Sequence, residues 1–190
     1  MSLPAHLAPP LVTLRHVRED DMPLLIRSVT DPAWRGAFAP GRITPPATLW
    51  QRFRDTGFSS EDMERLMVVN AEGRVVGDVV HFLAHRYSTA REIGWSVYDP
   101  ADRCKGYGSA AARALVDYLF RSLPIHRLCC SLSPDNVASA RVAQKAGFHC
   151  EGLMRGVVFA GGEYLDGEFY GLTREDWRLA AAGGLSEEKF

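Results

Sequence analysis

No stretch of this 190-residue chain approaches the ~18 consecutive apolar residues of a membrane-spanning helix, so a spanning anchor is not expected. Charge of one sign is also missing: 22 Lys and Arg stand against 23 Asp and Glu, for a formal net charge of −1. That balance lacks the basic excess of a general nucleic-acid binder. Cysteine is scarce. The four residues are Cys104, Cys129, Cys130 and Cys150, and none form a Cys-x-x-Cys pair. Reduced, mostly buried thiols are the expectation, with Cys129 and Cys130 on opposite faces of a strand. The six histidines do not cluster. His81 and His85 have metal-binding spacing for a helix, but Val75–Phe82 reads as strand, where four residues span about 13 Å. No metal site is expected. The N-terminus shows no charged region followed by an apolar one, and the chain reads as a cytoplasmic protein.

What is present is ordinary for a globular fold: 46% hydrophobic and 24% charged residues, enough for one domain with a real core. Residues 1–10 are proline-rich and read as a loose arm. Leu11–Val17 alternates as a first strand. Asp21 is a candidate cap for a helix with Met22, Leu25, Ile26 and Val29 on its inner face, ended by Asp31-Pro32. Residues 32–48, with Pro32, Pro40, Pro45, Pro46, Gly36 and Gly41, read as a binding loop with Trp34 and Phe38 exposed. Thr48–Thr56 reads as a short helix. Leu66–Asn70 and Arg74–His85 form a hairpin about Gly73, and Arg91–Tyr98 a further strand, with Ile93, Trp95 and Val97 on one face. A helix over Ser109–Arg121 buries Ala111, Ala112, Leu115, Val116, Leu119 and Phe120. Ile125–Leu132 is a strand, Asn136 caps a helix ending near Gly147, and Phe148–Val158 and Glu168–Thr173 are closing strands joined around Gly161-Gly162. Residues 179–190 read as a flexible tail. A meander followed by strand–helix–strand–helix–strand is a mixed α/β sheet.

One stretch carries chemistry. Between the strand ending at Tyr98 and the helix lies Arg103-Cys104-Lys105-Gly106-Tyr107-Gly108. Two glycines leave backbone N–H groups uncovered at a helix N-terminus, an anion site to which Arg103 and Lys105 add donors. Gly106, Gly108 and Ala111 also fit the dinucleotide pattern G-x-G-x-x-A, a nicotinamide-dependent oxidoreductase reading. Against it, Asp99–Lys105 separates strand from glycine, and residues 124–132 hold no acidic partner for a ribose. A P-loop fails because no Gly-Lys-Ser/Thr follows.

Arg103-x-x-Gly106-x-Gly108 stands in order with Glu92-Ile93-Gly94-Trp95, Asn136-x-x-Ser139, Lys145-Ala146-Gly147-Phe148 and Glu151-Gly152. Together these resemble the GNAT superfamily of acetyl-CoA-dependent N-acetyltransferases, and within it the RimJ/RimL type that acetylates ribosomal-protein N-termini. Asp166-x-x-x-Tyr170 and Glu175-Asp176-Trp177 are similar to the same group. The resemblance spans residues 11–178. It implies one mixed, mostly antiparallel twisted sheet of about six or seven strands, with a central splayed parallel pair, Glu92–Tyr98 and Ile125–Leu132, flanked by about four helices. It also implies an acetyl-CoA donor. The pantetheine arm would pair with backbone near Val97 and Tyr98, and the diphosphate would lie on Arg103, Cys104, Lys105, Gly106, Tyr107, Gly108 and Ser109. Asn136 would hold a pantetheine amide and Ser139 would face the sulfur. A homodimer is common among similar proteins.

The implied reaction is direct attack of a neutral primary amine on the thioester. Losing the proton costs a lysine about 4.6 kcal/mol at pH 7 and an α-amine about 1 kcal/mol, so a weak base serves an α-amine. The tyrosine acid of many relatives falls at Ala143, and the glutamate base of RimL-like enzymes at Val158, so both roles are vacant. Glu92 is the substitute base, ahead of Asp166 and Glu168, with Ser139 as donor to the thiolate and Asp135 as a turn residue. Residues 31–60 and 159–168 should frame the acceptor, with Trp34, Phe38, Trp50 and Tyr164 as apolar walls and Glu61, Asp62, Asp166 and Glu168 facing a cation. A protein N-terminus, an aminoglycoside, a polyamine or an amino-acid-like metabolite remain open as acceptors. So does a non-catalytic acyl-CoA-binding sensor.

Overall fold

The computed structural model describes residues 10–38, 43–160 and 162–182. The N-terminal arm except Pro10, residues 183–190 of the tail, and Pro40, Gly41 and Gly161 lie outside the described residues. Among the described residues seven strands form one sheet in the order β1-β2-β3-β4-β5-β7-β6. β1 (Val12–His16), β2 (Met63–Asn70), β3 (Val75–Leu83) and β4 (Arg91–Val97) run antiparallel in sequence order. β5 (Arg127–Leu132) is parallel to β4, and β7 (Glu163–Thr173) lies antiparallel between β5 and the edge strand β6 (His149–Ala160). The expected sheet is thus the one observed.

Among the described residues six α-helices flank it: α1 (Met22–Thr30), α2 (Pro32–Arg35), α3 (Pro46–Thr56), α4 (Tyr107–Ser122), α5 (Val137–Lys145) and α6 (Arg174–Ala181). α3 begins two residues before the expected Thr48 because Pro46 suits the first turn of a helix. α6 extends to Ala181, so Leu179–Ala181 belong to a helix and not to the tail. Asp21 sits at the start of α1 but makes no side-chain cap. Its carboxylate instead accepts from the Arg18 N–H at 2.8 Å and from the Arg15 guanidinium at 2.6 and 2.8 Å.

The core is split by the sheet. On one face, α4 and α5 bury Ala111, Ala112, Leu115, Val116, Leu119, Phe120 and Ala143 against Val68, Val79, Ile93, Leu128 and Tyr170. The six residues from α4 are the ones its 3.6-residue period selects. Leu115, Leu119 and Phe120 each contribute about 2 kcal/mol by leaving water. Arg174 fixes the end of this helix, donating to the carbonyls of Phe120, Leu123 and Ile125 at 2.6–2.7 Å. That takes the Ile125 carbonyl, and β5 starts at Arg127. On the other face, α1, α2 and α3 pack Met22, Leu25, Leu49 and Trp34 against Met67, Phe58 and Tyr98. This second cluster draws on no residue of β5, β6 or β7.

Candidate active site

β4 and β5 are held together only at Arg91–Leu128 and Glu92–Cys129. Beyond Glu92, β4 keeps β3 as its partner and β5 keeps β7, so the pair opens into a V with Glu92 at the vertex. The backbone that faces the gap follows from the β3–β4 register. Tyr98 donates its N–H to Val76 O at 3.0 Å, and Ala84 donates to Ala90 O at 2.9 Å. Antiparallel pairs alternate between bonded and non-bonded, so Glu92, Gly94, Ser96 and Tyr98 direct their amides to β3. Those of Ile93, Trp95 and Val97 point into the V. Val97 is therefore placed to pair with an extended ligand. Tyr98 is not: its amide is taken by β3 and its ring is buried against Trp34, centroids 6.4 Å apart. Of the expected pair Val97 and Tyr98, the amide that faces the cleft is that of Val97.

The loop at the mouth of the V is built as a cradle. Asp99 accepts from Ala101 N–H at 2.8 Å and starts a tight turn over Pro100–Asp102. Cys104, with φ of +62°, and Gly106, with φ of +86°, then take left-handed conformations that reverse the chain into α4. The helix starts at Tyr107, earlier than the expected Ser109, so Gly108 lies in its first turn. The first bond into the helix is Ala110 N–H to Gly106 O at 3.0 Å. The amides of Tyr107, Gly108 and Ser109 precede it and have no partner within the helix. A Cβ on Gly108 would lie 3.4 Å from Val142 and 3.8 Å from Val97, so loop, α5 and the end of β4 converge there.

The loop's cations are less free than expected. Lys105 Nζ lies 3.0 Å from the buried carboxylate of Asp102, which also takes two bonds from Arg74 at 2.6 and 2.9 Å. Those hydrogen bonds hold the Asp102 carboxyl down at about 2, below its usual range. Arg103 donates to Trp34 O at 3.3 Å. Both cations therefore set the shape of the loop as well as its charge. Asp102 was missed by sequence reading; its i,i+3 spacing to Lys105 was the one signal available.

At the vertex, Glu92 is half-buried, and burial raises its carboxyl above the usual range. His85 and the backbone N–H of Ser131 on β5 pull the other way without cancelling the effect. Ile93 is buried against α4, so Glu92 projects from the opposite face. Neighbouring Cys129 is buried, with its thiol pushed up to about 11. Across the V, Asn136 caps α5 by accepting from Ser139 N–H at 3.1 Å. Its amide NH2 stays available, and Ser139 lies half-buried in the first turn.

The expected acceptor walls are mostly turned inward. Trp34 packs on Tyr98 with the Arg27 guanidinium 4.0 Å above its ring, and Trp50 packs edge-on to Phe53. Both belong to the second core. Phe38 and Tyr164 are exposed. Asp166 accepts from Gly156 N–H at 2.8 Å and so orders the closing hairpin, while Glu168 accepts from Tyr170 OH at 2.9 Å. The backbone carbonyls of Glu61 and Asp62 accept from Arg91. Of the thiols, Cys129 and Cys130 are buried as expected, but Cys150 on β6 is exposed, as is Cys104 in the glycine loop. Among the described residues no group of His, Cys, Asp and Glu is arranged to hold a metal ion, and no helix is long and apolar enough to cross a membrane.

The profile of the acetyltransferase (GNAT) domain matches residues 12–149, from β1 to the start of β6. This chain belongs to the GNAT acetyltransferase family. It is 28% identical over 170 residues to YnaD of Bacillus subtilis, named an uncharacterized N-acetyltransferase, covering 81% of this chain and 95% of that one. A solved GNAT-family acetyltransferase from Bacillus anthracis superposes with a TM-score of 0.72 at 25% identity, over 86% of this chain and 95% of that one. The spermidine N-acetyltransferase of Vibrio cholerae, solved in complex with CoA and spermine, shares the fold at a TM-score of 0.72 and 17% identity, over 88% of this chain and 98% of its own. As a GNAT acetyltransferase the chain is an enzyme of a family that uses acetyl-CoA. The nicotinamide-dependent reading of the glycine loop gives way to that membership.

Proposed function

We propose that this GNAT acetyltransferase moves the acetyl group of acetyl-CoA to a primary amine, with Glu92 as general base. The observation that carries the reading is the V between β4 and β5, with a half-buried carboxylate at its vertex and a helix-capped glycine cradle at its mouth. The first-turn amides of Tyr107, Gly108 and Ser109 would hold the diphosphate, and the gap-facing backbone of Trp95 and Val97 would pair with the pantetheine arm. The Asn136 side-chain amide would bond the same arm. Ser139 would donate a hydrogen bond to the leaving thiolate. A gap-facing N–H of β4 would meet the developing oxyanion.

Burial favours the proton-bound state of Glu92, which makes it a stronger base than an exposed carboxylate but a weak one in absolute terms. Such a base fits an acceptor that deprotonates at low cost. We place a protein or peptide N-terminal α-amine first, which is the RimJ/RimL-like reading, and a small amine second. Cytoplasmic action belongs to the same reading. The neighbour solved with spermine supports the small-amine class through its fold alone. The test is release of free thiol from acetyl-CoA across a panel of α-amine peptides, polyamines and aminoglycosides. Turnover highest with a peptide α-amine supports the first choice. No acceptor-dependent thiol release with any amine would leave a CoA-binding protein without transferase activity and would overturn the proposal.

A further inference from the structure

The strand registers set a row of residues across the sheet at the vertex: Phe82 on β3, Glu92 on β4, Cys129 on β5 and Gly171 on β7. Val79, Ile93, Leu128, Cys130, Tyr170 and Leu172 belong to the core under α4, so by alternation this row stands on the opposite face. One step into the V, the next row is Val80, Gly94, the gap, Ser131 and Phe169. Two phenylalanines thus flank the carboxylate, one on each side of the seam. Phe82 and Glu92 are a hydrogen-bonded pair of the β3–β4 ladder, which holds their Cα atoms ~5.5 Å apart. Phe82 is nonetheless 38% exposed, and Phe169 is half-buried. Between the two rings lie the bare positions Gly94 and Gly171. A Cβ on Gly94 would come within 3.2 Å of Val80, so glycine keeps open the approach to Glu92.

The other carboxylates of this face are matched by arginines. Asp78, opposite Ser96, is ion-paired with Arg65, and Glu151 is ion-paired with Arg127. The second pair lies flat across β7, because a Cβ on Gly171 would overlap both of its side chains. Glu92 belongs to neither pair. Asp166 and Glu168, expected to meet a cation, are taken by Gly156 N–H and Tyr170 OH. Glu61 and Asp62 precede Met63, which stands opposite Phe82, so they lie behind the vertex and away from the opening.

We propose that Phe82 and Phe169 are the specificity-determining walls of the acceptor site, which takes a primary amine with an apolar group beside it and no second cation. The inference deepens the acetyl-transfer reading above and rests on it. An amine brought to Glu92 sets its substituent against one ring or the other, and burying an apolar group there is favourable. A second ammonium would give up its water and find no free anion on this face. Arg127 is the gatekeeper of that exclusion, since it neutralises Glu151, the carboxylate that reaches over the Gly171 position of the vertex row. Polyamines and aminoglycosides are disfavoured on this ground, and an α-amine with an apolar first side chain is favoured over one that begins with lysine.

The experiment is calorimetric titration of the full chain saturated with CoA, which carries no acetyl group to transfer. The probes are the amidated tripeptides Phe-Ala-Ala and Lys-Ala-Ala, and spermidine. The phenylalanine peptide should bind at least ~10-fold tighter than either of the others. An equal or reversed order overturns the proposal, as does a lack of binding by all three. Phe82→Ala and Phe169→Ala should each weaken the phenylalanine peptide about 5-fold and leave the lysine peptide and CoA within about 2-fold; equal losses for both peptides overturn the walls. Arg127→Gln sets the Glu151 carboxylate free and should tighten spermidine at least ~5-fold, a gain that adding Glu151→Gln removes. Spermidine binding that stays unchanged in Arg127→Gln overturns the charge exclusion. Misfolding cannot mimic a gain in binding, and the wild-type order decides the matter if a variant does not fold. Thiol release from acetyl-CoA separates the two readings. The expected binding order without turnover sinks only the transferase reading, whereas turnover fastest with spermidine sinks only this one.

Discussion

The two halves of the sheet differ in how they are closed. β2 and β3 carry core residues on both faces, Val68 and Val79 on the α4 side and Met67 and Val75 on the side of α1 to α3, where Tyr98 joins them from the end of β4. β5 and β7 give buried residues only to the α4 and α5 side, and β6 is exposed along nearly its whole length. Rigid packing and access to solvent are thereby given to different halves, and the proposed chemistry lies on the seam. Glu92 belongs to β4, the strand that follows the doubly covered β2 and β3, and the Ser131 amide that meets it belongs to the first strand of the open half. If this division holds, a change at the seam should impair the chemical step and spare stability, while a change inside the supported half should do the reverse.

The largest effect is expected at the seam. Glu92→Gln keeps the shape and removes the base. It should lower kcat/KM by about 10²- to 10⁴-fold with little change in Tm or in CoA affinity. The pH profile adds a sign. The wild-type carboxyl is raised above its usual range, so the active, deprotonated form accumulates as pH rises through that raised value. The limb assigned to Glu92 should vanish in the variant. An unaltered profile would give the proton to water or to another carboxylate and would leave the seam a structural feature only.

Inside the supported half, Asp102→Asn should act through folding. The carboxylate takes three charged bonds, two from Arg74 and one from Lys105, and a charge-assisted bond is worth about 2 kcal/mol. With both cations about half exposed, a total loss of about 2 kcal/mol is a fair expectation after screening by solvent. The folded carboxyl is depressed to about 2, below its unfolded value of ~3.9. Its contribution is therefore complete above that unfolded value and is lost as pH falls from there through about 2. Denaturant titrations should show wild type and variant converging over that acid window. Curves that stay parallel would place the variant's cost elsewhere.

How legible all this is in the sequence depends on the range of the interactions. The buried face of α4 follows from the spacing of Ala111 to Phe120, and the Asn136 cap from one residue type at a helix start, because both are set within a few turns of chain. The cradle was legible as Gly106-x-Gly108, although the helix begins two residues earlier than its polar start suggests. Asp102 was not, because its main partner, Arg74, lies 28 positions away. Trp34 stands among prolines and glycines and reads as exposed, yet Arg27 and Tyr98 enclose it from two other elements. The length of β7 was missed because Tyr164 and Leu165 gain a strand partner only through Phe159 and Val158, across a turn that composition alone does not size. Glu92 could be named from its motif, but its environment depends on Ser131, 39 positions on, and no local pattern reports that.

The smallest effect expected tests the cradle itself. A reading in which Arg103 and Lys105 are free phosphate clamps would give Arg103→Ala/Lys105→Ala a large penalty in donor binding. The structure instead has Lys105 paired with Asp102 and Arg103 on the Trp34 carbonyl. The diphosphate then relies first on the amides of Tyr107, Gly108 and Ser109, which the double substitution leaves in place. Exposed charges at such a site are worth about 0.5–1 kcal/mol each. The acetyl-CoA KM should therefore rise roughly 5- to 30-fold with kcat nearly unchanged, and the rise should shrink as salt is added. A KM that does not move would take Arg103 and Lys105 out of donor binding and leave the diphosphate to the backbone amides alone. A fall in kcat as large as the rise in KM would mean that the loop's cations reach past the donor to the seam, and the division between support and chemistry would fail at its mouth.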